Sequence, residues 1–202
     1  MALAVAAGPS AAGSWVAMVG LPTLGLAASA EVGLVFERLA VIAEPPPSQW
    51  AAVVASLVGA FDVVLVAEPV SVRATEARRL ASRARERGTV LVIVDLASSG
   101  TGSRSGTTRS RSGTGLETDL TLRVVDAAWE GVGEGHGYLR QRTMEVEAGG
   151  RRGATRPCRA RILFPGPDGQ IEAMHVVVPG VAELGGMDDS DHSVPVVHRD
   201  VG

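Results

Sequence analysis

Lysine is absent from this chain of 202 residues, so its 19 basic side chains are all arginine. The formal net charge is only −3, which creates no field strong enough to commit the chain to nucleic acid or to a membrane. Alanine, glycine and valine are abundant as well, a composition typical of a GC-rich genome. The arginine content by itself therefore does not predict phosphate binding.

Cysteine is nearly absent too. The single residue, Cys158, excludes an internal disulfide and any cysteine-based metal site, and it agrees with a reducing cytoplasm. Its position at the start of an apolar run favours a half-buried strand thiol over a nucleophile.

No carboxylate or cysteine stands at ligand spacing from the four histidines, so we predict no metal site. They are His136, His175, His192 and His198.

The first 30 residues carry no charged side chain. The stretch has no basic leader, as a signal peptide requires, and Pro9 and Pro22 interrupt it before it could form a spanning helix. We therefore expect no membrane role and a cytoplasmic protein.

Strand-like and helix-like segments alternate through the first half of the chain, which predicts a parallel α/β sheet. The strand-like runs are Trp15–Val19, Arg38–Ala43, Asp62–Val66 and Thr89–Asp95. The helix-like stretches are Leu24–Val32, Ser48–Ala60 and Ser71–Arg87. Two runs, Val63–Val66 and Val90–Val94, are continuously apolar, and we expect both to be central strands buried on both faces.

The last of these helices has clear end signals. Ser71 or Thr75 can cap its beginning, and Gly88 can end it in a left-handed conformation. Alanine and leucine occupy one face and arginine most of the remainder, which favours a solvated outer helix over a DNA-binding helix.

The second half has a different character. Ser98–Gly115 contains glycine, serine, threonine and arginine but no apolar residue, so it predicts a mobile loop. Apolar residues then alternate with polar ones in Leu120–Trp129, Tyr138–Glu147 and Arg159–Phe164, which predicts an antiparallel extension. The acidic segment Val181–Gly202 is typical of a flexible tail or of a peptide that orders on a partner.

Two glycine-rich motifs resemble nucleotide-binding loops only in spacing. Gly8–Trp15 has Ser14 and Trp15 where a phosphate loop needs lysine and a Mg²⁺-binding hydroxyl, and it precedes a strand instead of following one. Gly131–Gly137 lies between two alternating strands and predicts a hairpin turn. We therefore predict no nucleotide cofactor and no catalytic residue. Asp62 and Asp95 flank apolar strands, but no nucleophile accompanies them.

The order of the segments resembles the RecA ATPase core, entered after its phosphate loop. Ala28–Leu39 looks like the helix and turn that lead to the third strand, Phe61–Glu68 like the Walker B strand, and Arg83–Asp95 like the next helix and strand. Ser98–Gly115 falls where RecA has its second DNA-binding loop. The resemblance implies a truncated RecA-like core, mainly a parallel sheet flanked by helices with an antiparallel extension, spanning residues 1–180 before a tail at 181–202.

Within the RecA relatives, the chain is most similar to the short actinobacterial ImuA-prime group. The matching phrases are Trp15–Pro22, Leu24–Ala28, Ala77–Ala81 and Gly135–Arg140. The chain departs from RecA at Ala67, which stands at the Walker B aspartate position, and at Gly20–Pro22, which offers no catalytic glutamate. Both departures put ATP hydrolysis in doubt.

This resemblance implies a non-catalytic adaptor of the DNA-damage-induced mutasome. Its partner would be an ImuB-like Y-family polymerase homologue and, indirectly, an error-prone replicative-type polymerase and the sliding clamp. It would be cytoplasmic and associate with the nucleoid after DNA damage. An uncovered sheet edge near the N-terminus would receive the partner or a second copy of the chain, or the tail would dock through Val194, Val196 and Val197. The alternative is a weak, sequence-nonspecific module for single-stranded DNA that acts through Arg104, Arg109 and Arg111. A third possibility, an ATPase whose phosphate loop lies upstream of Met1, stays open.

Overall fold

The computed structural model describes residues 1–68, 72–95, 118–133, 136–151, 156–166 and 171–177. Within these residues the helices are α1 (Ala2–Ala11), α2 (Leu26–Glu31), α3 (Trp50–Leu57) and α4 (Ala74–Arg87). The first four strands are β1 (Val16–Val19), β2 (Leu39–Ile42), β3 (Val63–Ala67) and β4 (Val90–Val94). The later strands are β5 (Leu120–Gly133), β6 (His136–Gly150), β7 (Cys158–Leu163) and β8 (Glu172–Val177).

The first four strands form one parallel sheet in the order β2-β1-β3-β4. All four strand-like runs of the sequence fall on these strands, so the predicted parallel α/β sheet is confirmed. The central strands β1 and β3 are apolar because both of their faces are covered, and only Ala67 at the end of β3 is partly exposed.

Helices cover both faces of the parallel sheet. On one face, α3 and α4 pack Trp50, Val54 and Leu80 against alternate residues of the central strands, including Val64 and Val66. On the other face, Leu3 and Ala6 of α1 pack with Met18 and Leu65. The alternation of inward-facing residues along each strand thus supplies two separate apolar layers, one on each side of the sheet.

The prediction that β4 is a central strand buried on both faces is wrong. β4 lies at the end of the sheet, Val90 is exposed and the remaining four residues are only half-buried. A continuous apolar run is shared by central strands and by edge strands that helices cover on both faces, so the sequence pattern cannot distinguish the two.

One helix and the start of another also differ from the prediction. Residues 1–30 gave no prediction of a helix before β1, yet α1 spans Ala2–Ala11 with Pro9 inside its last turn. The amino end of α4 follows Arg73 without a side-chain cap, and Thr75 lies within its first turn, so Thr75 is not the capping residue. Gly88 does end α4 with a left-handed φ of 70°, as predicted.

The later strands form a second, antiparallel sheet in the order β5-β6-β7-β8. The three predicted alternating segments correspond to β5, β6 and β7, while β8 was not predicted. The β5–β6 pairing runs from Leu120↔Gly150 to Gly133↔His136, which confirms the glycine hairpin. The register shifts between Val124 and Asp126 and again between Glu130 and Val132. Such irregularities bend a strand and interrupt its pairing edge.

The two sheets meet through the amino end of α1. Met1 packs on Met144, Val146 and Ile162 of the antiparallel sheet, and Phe164 contacts both this cluster and the α1 layer. Burial, and then the nearby Arg142 guanidinium, lower the pKa of the Met1 ammonium group. The boundary of the predicted domain at residue 180 and the tail beyond it lie outside the described residues.

Candidate interaction surfaces

The carboxyl ends of β1 and β3 adjoin where the chain order in the sheet reverses, with β2 on one side of β1 and β3 on the other. Open α/β sheets commonly bind ligands at such a switch point. Gly20 follows β1 with φ of +67°, and a Cβ at this position would lie 3.4 Å from the Cβ of Ala67. The gap between the two strand ends is therefore narrow, and Ala67 contributes only a methyl group to it.

Acidic residues lie at opposite ends of this sheet. Glu68 follows β3, and its backbone N–H donates to Val94 O at 2.9 Å. Burial, and then the charge of Asp95, raise the pKa of Glu68. Asp62 precedes β3 and accepts a hydrogen bond from the Trp15 backbone N–H at 2.7 Å. Asp62 therefore joins the beginnings of two strands, and it does not share a site with Asp95.

The glycine spacing of Gly8–Trp15 comes from the end of α1 and its turn into β1. Within this segment Ser10 is fully buried. Its Oγ accepts a hydrogen bond from Val35 N–H at 3.0 Å, and its carbonyl oxygen accepts one from Arg38 Nη2 at 3.3 Å. These bonds fasten α1 to the segment before β2, so the role of Ser10 is structural.

Strands β2 and β4 form the two edges of the parallel sheet, and both are apolar. Val41 on β2 is 53% exposed and Val90 on β4 is 54% exposed. The start of β4 is held firmly, because buried Thr89 Oγ1 accepts from Gly59 N–H and donates to Phe61 O, both at 3.0 Å. No described strand pairs with the outer side of β4, so its backbone groups there can pair with an added strand.

The outer face of α4 carries arginine at intervals of four residues. Arg79, Arg83 and Arg87 line a shallow depression together with Ser82 and Glu86. None of the three arginines forms an ion pair with another residue that the structure describes. The arrangement agrees with the predicted solvated outer helix, and it leaves the alternative of a DNA-binding helix untested.

The antiparallel sheet exposes aromatic side chains on the β5–β6 hairpin. Trp129 is 48% exposed and Tyr138 is 86% exposed. The guanidinium carbon of Arg142 lies 5.5 Å from the centre of the Trp129 ring, within range of a cation–π interaction. The sequence did not lead to these residues; Tyr138, two positions before Arg140, was a usable signal, whereas Trp129 meets Arg142 only through strand pairing.

The opposite face of this sheet is an ion-pair network. Arg159 on β7 contacts Glu145 Oε1 at 3.1 Å and Glu147 Oε2 at 3.0 Å. Hydrogen bonding and attraction to Glu147, followed by Glu145, raise the pKa of Arg159. Cys158 on β7 is a half-buried free thiol, as its position in the sequence predicted.

The residues predicted to bind DNA and a partner lie outside the described part of the chain. They are Arg104, Arg109, Arg111, Val194, Val196 and Val197. Among the described residues, no group of three or more histidine, cysteine, aspartate or glutamate side chains could hold a metal ion. None of the described helices is both long enough and apolar enough to cross a membrane.

The fold class is therefore α/β, with a helix-covered parallel sheet and a separate antiparallel sheet. Residues 1–100, which include the whole parallel sheet, match the family model described as the MT3502 N-terminal domain. The chain is also 40% identical over 96 residues to a curated relative, the uncharacterized protein Rv3395c of Mycobacterium tuberculosis. That alignment covers 46% of this chain and 46% of the relative, so the similarity spans about half of each.

Proposed function

We propose that this protein is a non-catalytic adaptor that binds an ImuB-like Y-family polymerase homologue during error-prone repair of damaged DNA. The observation that carries the proposal is the outer edge of β4, an apolar strand with no described neighbour on that side. An exposed apolar edge promotes aggregation unless another strand or element covers it, so a partner that adds an element here stabilises the protein.

The sequence resemblance supports the choice of partner. A helix-flanked parallel sheet followed by antiparallel strands is the architecture that the resemblance leads one to expect. The similarity to a mycobacterial protein agrees with an actinobacterial ImuA-prime relative. Ala67 stands at the carboxyl end of β3, where a RecA-type ATPase carries the Mg²⁺-binding aspartate. The proposed role accordingly includes no ATP hydrolysis.

Co-purification with the ImuB-like protein encoded in the same genome tests the proposal. The variant Val90→Lys places a charge at the β4 edge, and Val41→Lys places the same charge at the β2 edge. The two valines have nearly equal exposure, so the variants are matched in burial and in chemistry. We expect Val90→Lys to reduce recovery of the partner about tenfold or more, since edge charges oppose strand addition, and Val41→Lys to leave it unchanged.

A third arm removes Val181–Gly202. Normal recovery with the truncated chain supports docking at the sheet edge, whereas loss of the partner only on truncation places the dock in the tail and contradicts the β4 proposal. Failure of the full-length chain to recover the ImuB-like protein contradicts the adaptor function itself. Light scattering measures self-association. If the chain binds no partner but self-associates, and Val90→Lys reduces that self-association, then the β4 edge binds a second copy of this chain.

A further inference from the structure

The half of the β5–β6 hairpin that lies next to its turn exposes aromatic rings that do not pack in the apolar clusters of the protein. The chain has only seven aromatic residues, and this hairpin carries two of them, Trp129 and Tyr138. Tyr138 is the most exposed of the large hydrophobic side chains that the structure describes, at 86%. Neither residue belongs to any of the three apolar clusters, so their rings contribute little to the packing of the protein.

An arginine side chain lies against the Trp129 ring, and a second arginine side chain lies across Gly131. Arg142 is paired with Trp129 across the two strands, and its guanidinium faces the indole ring at 5.5 Å. Arg140 extends across Gly131, because a Cβ on that glycine would lie 3.0 Å from Arg140 Cγ. We call Trp129, Tyr138, Arg140 and Arg142 the hairpin platform.

Carboxylates of the two strands are segregated from Trp129 and Arg142. Glu130 pairs with Gln141, which is one residue along each strand from the Trp129–Arg142 pair and therefore on the opposite face. Its Oε2 accepts a hydrogen bond from Gln141 Nε2 at 2.6 Å. By the same alternation Asp126, Glu145 and Glu147 also occupy that opposite face. The Trp129 face thus presents aromatic, apolar and cationic groups without a carboxylate from β5 or β6.

We infer that the hairpin platform binds single-stranded nucleic acid, with bases stacked on Trp129 and Tyr138 and a backbone phosphate bound by exposed Arg140. Aromatic faces beside cationic groups are the combination that recognises unpaired bases without regard to sequence. Half-buried Arg142 has a different role: it lies against the indole ring and holds it in position. A duplex is excluded as the preferred ligand because its bases are already stacked on one another.

A protein ligand fits the platform less well. Tryptophan, tyrosine and arginine also dominate protein interfaces, but there they sit in a dense apolar surround that excludes water. Here glycine, which has no side chain, stands near each ring, at Gly131 and at Gly137, and the support is a two-stranded ribbon.

Fluorescence anisotropy with the full-length protein tests this inference, using labelled oligothymidine, labelled oligouridine and a labelled duplex as separate probes. We expect Trp129→Ala and Tyr138→Ala each to weaken single-strand binding by about ten- to a hundredfold, from the stacking contribution of one base. Trp129→Phe and Tyr138→Phe should retain most of the affinity. Arg140→Ala should reduce the slope of log K against log salt by about one. The DNA and RNA probes show which of the two strands binds more tightly.

Matched controls come from the same sheet. Leu139 is 56% exposed next to Tyr138, so Leu139→Ala removes a similar apolar surface without an aromatic face and should leave binding unchanged. Arg159→Ala removes an arginine already bound to Glu145 and Glu147 and should be silent. Equal loss with Leu139→Ala identifies a general apolar contact and overturns the inference. So does the absence of single-strand binding, a preference for the duplex, or binding that only Arg104, Arg109 and Arg111 sustain.

Discussion

The two sheets of this protein differ in what they bury. In the parallel sheet, every residue of β1 and the first four residues of β3 are buried, and helices cover both faces. In the antiparallel sheet, the buried cluster consists of Met144, Val146 and Ile162, while the described side chains of the long strand β5 are all exposed. The first sheet therefore holds most of the apolar stabilisation, and the second mainly presents surface.

The match to a known family follows the same division. Residues 1–100 contain α1 to β4 and match the MT3502 N-terminal domain, while the antiparallel sheet lies beyond that match. A densely packed core restricts which substitutions a sequence tolerates, because even one methylene group changes its packing. An exposed hairpin is under no such restriction, so its surface can serve recognition.

The largest expected effect comes from truncating the middle of β3. Leu65 is completely buried between α1 and the neighbouring strands. We expect Leu65→Ala to reduce the free energy of unfolding by about 3 to 5 kcal/mol, since it removes buried methyl groups and leaves a cavity. Chemical denaturation monitored by circular dichroism measures the change.

Leu122 on β5 provides the contrast because it is 40% exposed. Leu122→Ala should cost no more than about 1 kcal/mol, as the residue loses only part of a leucine's burial. Equal destabilisation by Leu65→Ala and Leu122→Ala would show that β5 is covered in solution, and the division between a core sheet and a surface sheet would then be wrong.

A smaller effect is expected at the centre of the antiparallel sheet. Met144 is 1% exposed, and its cluster is completed by Met1, which precedes α1. We expect Met144→Ala to cost about 2 kcal/mol, at the lower end of the range for buried methionine, because the small cluster can relax. Hydrogen exchange should show lost protection in β6 and β7. Undiminished protection there, or equal loss in β1 and β3, would contradict a separate weak cluster.

The sequence predicts the parallel sheet well because alternating strands and helices leave strong local patterns. It does not reveal that β4 is at an edge, since Val90–Val94 has the same apolar pattern as a central strand. Helix α1 was missed because Pro9 and the glycines around it are typical of a loop. The hairpin was predicted from its glycines, but the cross-strand pair of Trp129 and Arg142 depends on a register that two bulges shift. Local spacing cannot fix that register.

The smallest expected effect concerns an ion pair that links the two sheets. Arg85 in the last turn of α4 contacts Asp119, just before β5, with 3.3 Å between Nε and Oδ2. Their side chains are 43% and 51% exposed, so water and salt screen the pair. A double-mutant cycle with Arg85→Ala and Asp119→Ala should give a coupling of about 0.2 to 1 kcal/mol, which decreases as salt is added.

Arg87→Ala is the control, since Arg87 has the same favourable position at the helix end but no described ion pair. If Arg85→Ala destabilises no more than Arg87→Ala and the coupling is zero, this pair does not join the sheets, and the Met1 contact becomes their main connection. A coupling well above 1 kcal/mol that persists in high salt would instead show that the pair is shielded from water, and the start of β5 would belong to the core region.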